Sequence, residues 1–149
     1  MEENQNRNEK TIQGKRNNLI IRKGFDKEKI EEIAKECGAD SVKKSISCIF
    51  APFLRSNLYF EIVDDVGFFA GYIGKKHFRL YELAVKKDFQ HKGYGSILLE
   101  RIKKICREKN LEKITLRTSR DETAIKFYRR FGAKIVGIQD NDYEVEIKA

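Results

Sequence analysis

Seven consecutive residues, Gln90-His91-Lys92-Gly93-Tyr94-Gly95-Ser96, hold the clearest chemical signal in the chain. Gly93 and Gly95 let a backbone approach a ligand closely and take up angles that a Cβ forbids. Lys92, with Lys86 and Lys87 just upstream, supplies full positive charge. If a helix starts directly after the glycines, its first N–H groups lack acceptors within the helix and sit at the positive end of its dipole. That combination suits a pyrophosphate. Two other phosphate motifs fit worse. A Rossmann pattern wants a third glycine where Leu98 stands, and a Walker loop wants Gly-Lys-Ser/Thr, whereas here Lys92 precedes Gly93. Glu82 is a second candidate. Strand alternation groups it with Phe78, Leu80 and Ala84, and a carboxylate among apolar neighbours needs a partner or a purpose. It could hold a substrate ammonium, accept its proton, or pair with Arg79 or Arg117. Tyr81 and Arg79 fall on the alternate face, and a bulge would exchange the two.

These residues need a strand ending near Val85, a helix beginning near Ser96, and a sheet beneath both. The pattern provides them. Leu19 to Arg22 reads as a strand. Asp26 caps a helix with Ile30, Ile33, Ala34 and Cys37 on one face, and Gly38 stops it. Ser41 to Phe50 reads as a less regular helix ended by Pro52. Leu58 to Val63, Phe68 to Ile73 and Phe78 to Val85 are three strands of an antiparallel meander, with Asp64-Asp65-Val66-Gly67 and Gly74-Lys75-Lys76 as turns. Leu98, Ile102, Ile105 and Cys106 line one face of a helix from about Ser96 to Lys109, with Lys103, Lys104 and Arg107 on the other. Lys113 to Thr118 is a strand. Asp121 caps a helix with Ala124, Phe127, Tyr128 and Phe131 inward, and Gly132 ends it. Two strands, Ala133 to Ile138 and Tyr143 to Ile147, close the chain. The strand–helix–strand unit in the middle forces one parallel pair into an otherwise antiparallel sheet.

The 149 residues suffice for one domain, read as 18–149, preceded by a polar tail at 1–17 that is expected to stay unstructured. No apolar run approaches the roughly 18–20 residues that a membrane span needs, and no leader follows Met1, so a cytoplasmic protein with no membrane partner is expected. Cys37, Cys48 and Cys106 form no C-x-x-C pair, so neither a disulfide framework nor a metal site is expected. The net charge is +8, and residues 75–109 alone hold eleven Lys or Arg against four Asp or Glu, a net +7. That field suits an anionic partner.

Three features together resemble the GNAT superfamily of acetyl-CoA-dependent N-acetyltransferases. Gln90 to Gly95 matches the family's Gln/Arg-x-x-Gly-x-Gly/Ala loop. Glu82-Leu83-Ala84-Val85 looks like the end of its fourth strand, and Ala124 to Ala133 looks like its fourth helix. The resemblance implies an α/β fold: a mixed, mostly antiparallel sheet of about seven strands, a splayed parallel pair, and helices on both faces. It implies an enzyme that moves an acetyl group from acetyl-CoA to a primary amine of a small molecule or protein, without a metal. Amides of His91, Lys92, Gly93, Tyr94, Gly95 and Ser96, with Gln90, would wrap the pyrophosphate. Main-chain groups of Leu83, Ala84 and Val85 would receive the pantetheine arm, and Phe127 and Tyr128 would lie beside the cofactor. Tyr128 matches the tyrosine that protonates the leaving thiolate, a reasonable pairing of a phenol near pKa 10 with a thiol near 8.5. Many relatives carry asparagine where Asp121 stands, and helix capping is its simpler role. A homodimer is one expected assembly. The alternatives are a basic nucleic-acid-binding module, disfavoured because the charge gathers at the loop, and a GNAT domain that binds coenzyme A without turnover.

Overall fold

A computed structural model of the chain describes residues 9–12, 18–38 and 57–149. The helix expected over Ser41 to Phe50 and one of the three cysteines, Cys48, lie outside these. The strands are β1 (Glu9–Ile12), β2 (Leu19–Lys23), β3 (Tyr59–Val63), β4 (Gly67–Ile73), β5 (His77–Val85), β6 (Lys113–Thr118), β7 (Lys134–Gln139) and β8 (Asp142–Lys148). The helices are α1 (Lys27–Glu36), α2 (Tyr94–Glu108) and α3 (Glu122–Arg129), and a 3-10 turn covers Lys87–Phe89. The strands form one sheet in the order β1-β2-β3-β4-β5-β6-β8-β7. This is the expected mixed α/β architecture with one additional edge strand. Strand β1 falls within the tail expected to be unstructured, yet Glu9 to Ile12 pair antiparallel with Arg22 to Leu19. The pairing runs through the backbone, which polar composition does not forbid.

The chain forms two compact units. The first comprises Met1–Gly71 and Glu82–Leu99. Its strands β2 and β3 pair antiparallel, as do β3 and β4. The three-residue turn between β3 and β4, closed by the Val66 N–H on the Val63 carbonyl at 3.0 Å, places both Asp64 (φ 51°) and Asp65 (φ 56°) in the left-handed region. Helix α1 starts where the Asp26 carboxylate accepts from the Lys29 N–H at 3.1 Å. Its Ile30, Ile33 and Ala34 are buried on Phe60, Ile62, Phe68, Ala70 and Ala84. The other face of β4 receives α2: a Cβ on Gly67 would stand 3.1 Å from Leu98 Cδ1 and 3.3 Å from the Ala84 carbonyl.

The second unit comprises Tyr72–Tyr81 and Glu100–Ala149. Here β5 and β6 form the one parallel pair, with His77 to Leu80 opposite Lys113 to Leu116. Strand β6 pairs antiparallel with β8, and β8 with β7. Phe78, Leu80, Ile102, Ile105, Ile114, Leu116, Val145 and Ile147 are buried. On α3 the buried residue is Ile125, while Ala124, Phe127, Tyr128 and Phe131 are half-buried, a shallower seat than helical spacing suggested. Asp121 caps this helix through the Thr123 N–H at 3.1 Å, the role its type favours. Gly132 (φ 82°) ends it in the left-handed region.

Candidate active site

Strand β5 is longer than its parallel ladder. Pairing with β6 ends at Leu80, whereas β5 continues to Val85. Glu82, Leu83, Ala84 and Val85 therefore lie past the last paired residue. Strand β5 is also bulged. The Gly74 N–H donates to the His77 carbonyl at 2.9 Å and the Lys86 N–H to the Val66 carbonyl at 2.8 Å. From His77 to Lys86 is nine residues and from Gly74 back to Val66 is eight, so β5 carries one extra residue. The burial pattern shows the same break: Phe78 and Leu80 alternate with their neighbours, then Ala84 and Val85 are buried in succession.

Glu82 is half-buried in this irregular stretch. Two cations weighed as its partners are engaged elsewhere. The Arg79 guanidinium grips the Glu144 carboxylate with two nitrogens, one of them at 3.3 Å. Arg117 donates to the Gln139 carbonyl at 3.0 Å and lies 3.5 and 3.6 Å from Asp140 and Asp142. Tyr81 is exposed.

After Val85 the chain makes the 3-10 turn, with the Phe89 N–H on the Lys86 carbonyl at 2.9 Å. His91 (φ 61°) and Gly93 (φ 91°) then adopt left-handed backbone. Helix α2 begins at Tyr94, two residues earlier than expected, and its first bond joins the Ile97 N–H to the Gly93 carbonyl at 3.0 Å. The N–H groups of Tyr94, Gly95 and Ser96 precede that bond, and no acid occupies the first turn. The backbone freedom expected of both glycines is used at Gly93 alone. Gly95 has ordinary helical geometry, so a missing Cβ beside the first-turn amides is what distinguishes it. His91 is exposed and acts on the loop through its backbone.

Side chains fasten this loop from below. Gln90 Nε2 donates to the Cys37 carbonyl at 2.7 Å and the Val85 carbonyl at 2.9 Å. Tyr94 Oη donates to Asp64 at 3.0 Å, and the same carboxylate accepts from the Ile20 N–H at 2.8 Å. Phe89 meets the Tyr94 ring edge-on at 6.2 Å, and Lys92 Nζ lies 5.5 Å from the Phe89 ring centre. Lys86, expected to face phosphate, instead lies 3.2 Å from Glu32 and 3.1 Å from Glu36 on α1. Burial works against its charge, the two carboxylates outweigh that, and its pKa ends above the usual lysine value. Lys29 and Lys86 together hold the Glu32 carboxyl below its ordinary range. Sequence reasoning missed Glu32, Glu36 and Asp64 as members of this surround. The hairpin signal located Asp64, but nothing local tied it to Tyr94, thirty residues on.

The second unit carries Phe127 and Tyr128. Their rings meet edge-on at 5.0 Å, and Phe127 meets Phe131 at 5.6 Å. The Tyr128 carbonyl closes the helix by accepting from the Phe131 N–H at 2.9 Å and the Ala133 N–H at 3.3 Å. Among the described residues no cluster of three His, Cys, Asp or Glu could hold a metal, and no helix is long and apolar enough to cross a membrane.

The acetyltransferase (GNAT) family profile matches residues 29–133, more than two thirds of the chain, so this protein belongs to that family of acetyltransferases. Solved structures show the same fold. A PaiA N-acetyltransferase from Thermoplasma acidophilum in complex with coenzyme A superposes with a TM-score of 0.73 at 22% identity, covering 88% of this chain and 99% of the other. A GNAT acetyltransferase from Elizabethkingia anophelis with acetyl-CoA bound gives 0.68 at 15% identity, covering 90% and 100%. An aminoglycoside 6'-N-acetyltransferase complexed with coenzyme A gives 0.64 at 18% identity, covering 87% and 96%. No curated protein sequence matches the chain.

Proposed function

We propose that this protein transfers the acetyl group of acetyl-CoA to a primary amine, with residues 18–149 acting as one catalytic domain. One observation carries the reading: a bulged strand end runs through a fastened basic loop into the first turn of α2, which holds no acid. The amides of Tyr94, Gly95 and Ser96 suit a pyrophosphate, with Lys92 adding charge. Gln90 contributes by holding the loop to Cys37 and Val85. The main chain of Leu83 and Val85, past the parallel ladder, suits an extended pantetheine arm taken up as an added strand. The thioester supplies an activated acyl group. Glu82 takes the acceptor ammonium or its proton, since only a neutral amine attacks. Tyr128 donates its phenolic proton to the departing sulfur.

Calorimetry with acetyl-CoA, followed by coenzyme A release across a panel of amines, tests this reading. Micromolar-range binding that weakens with salt, and turnover with at least one amine, are the expected results. Filter retention of RNA without acetyl-CoA binding would replace the reading with a nucleic-acid module. Binding without turnover across protein, polyamine, aminoglycoside and amino-acid amines would leave a coenzyme A-binding domain.

A further inference from the structure

Lys86 stands at the mouth of the loop, where electrostatic intuition makes it a phosphate ligand. Its geometry says otherwise. The ammonium is 3.2 Å from Glu32 and 3.1 Å from Glu36, and its side chain is only 16% exposed. Both carboxylates belong to the C-terminal half of α1. One residue further on, the Cys37 carbonyl accepts from Gln90 at 2.7 Å. Next, a Cβ on Gly38 would lie 3.5 Å from the Lys87 side chain. Three successive loop elements, Lys86, Lys87 and Gln90, thus rest on one helix end. Just after them the backbone takes the left-handed turns at His91 and Gly93 that lead into the α2 amides.

We propose that Lys86 is a positioning residue: through Glu32 and Glu36 it clamps the cofactor loop to the end of α1, and Gln90 is the second jaw. The inference rests on the acetyl-CoA reading above. A loop already ordered before its ligand arrives binds more tightly, because the ordering cost is not charged to the binding step.

The sign of one variant separates the clamp from a phosphate contact. Glu32→Gln with Glu36→Gln deletes two negative charges and frees Lys86. If Lys86 served phosphate, coenzyme A would bind more tightly. If Lys86 is a clamp, calorimetry shows coenzyme A binding roughly 3- to 10-fold weaker, despite the more favourable overall charge. Amide exchange over Lys87–Gly93 quickens, while Lys86→Arg keeps wild-type affinity. Both acids are exposed by 42% and 55%, so the double variant folds, as circular dichroism checks. Unchanged or tighter coenzyme A binding by the double variant overturns the clamp and leaves the acetyl-CoA reading standing. Failure of the unaltered protein to bind coenzyme A overturns that reading, and the clamp with it.

Discussion

Replacing Tyr128 by Phe removes one oxygen and leaves the ring, so it separates chemistry from packing. Tyr128 is half-buried beside Phe127, while Ile125 fills the buried position of α3. Stability should change by about 1 kcal/mol or less. If the phenol protonates the leaving sulfur, kcat falls roughly 10²-fold with little change in acetyl-CoA affinity. Full turnover by the folded Phe variant on its acceptor would reject the acid role. Glu82→Gln is the companion experiment. Arg79 is committed to Glu144, and Arg117 to Gln139, Asp140 and Asp142, so neither of these two cations is assigned to Glu82. The acceptor KM should rise or the pH–rate profile should shift. An unchanged profile and KM would remove Glu82 from the mechanism.

Elements respond to different changes. In the loop, Gly93→Val strains a backbone held at φ 91°, whereas Gly95→Val sits in ordinary helical geometry and only crowds the first-turn amides. Both should abolish coenzyme A binding, but only Gly93→Val should also lower the melting temperature markedly. Equal melting losses would show that Gly95 has a structural role. The bridge from α1 to the loop has a pH window. The lowered pKa of Glu32 means its contribution is present above the unfolded carboxylate value of about 4.5 and is lost as pH falls through the lower folded value. The raised pKa of Lys86 means its contribution is present below about 10.5 and disappears as pH rises through the higher folded value. The melting-temperature gap between the protein and Lys86→Met should therefore be widest near neutrality and close at both extremes. A gap constant with pH would contradict the ion-pair account. Most elements were legible because each has a local signature: apolar period on α1 and α2, capping aspartates at 26 and 121, paired aspartates at the β3–β4 turn. The bulge in β5 and the partners of Gln90, Lys86 and Tyr94 were not. The bulge shows only in how the two ends of the β4–β5 pairing register, and Cys37, Glu32, Glu36 and Asp64 lie 30 to more than 50 positions from the residues they hold, which one-dimensional spacing does not encode.

At the scale of the whole molecule, the +7 concentrated over residues 75–109 is partly cancelled in space. Lys86 is matched by Glu32 and Glu36, and Arg79 by Glu144, three acids from outside that segment. Sequence counting assigned the field to too many residues; Lys92, two residues before α2, has its ammonium 5.5 Å from the Phe89 ring centre. The polar N-terminus gives a further test. Composition marks residues 1–17 as unable to form a core, and that argument concerns side chains. Strand β1 covers the edge of β2 with four residue pairs, a backbone ladder. Each such hydrogen bond contributes about 0.5–1.5 kcal/mol net, and fixing each residue costs about 1–2 kcal/mol, so the ladder is close to balance. Deleting residues 1–17 should therefore lower stability by about 1 kcal/mol, or roughly 2–4 °C in melting temperature for a chain of this size. Coenzyme A affinity should hold, because the loop is fastened by Glu32, Glu36, Cys37, Asp64 and Val85, none of which is removed. Thermal melts and calorimetry of the truncated protein check both parts. A loss beyond about 10 °C would mean that the segment stabilises far more than one edge, and a several-fold loss of affinity would mean that β2, through the Ile20 N–H and Asp64, transmits its order to Tyr94.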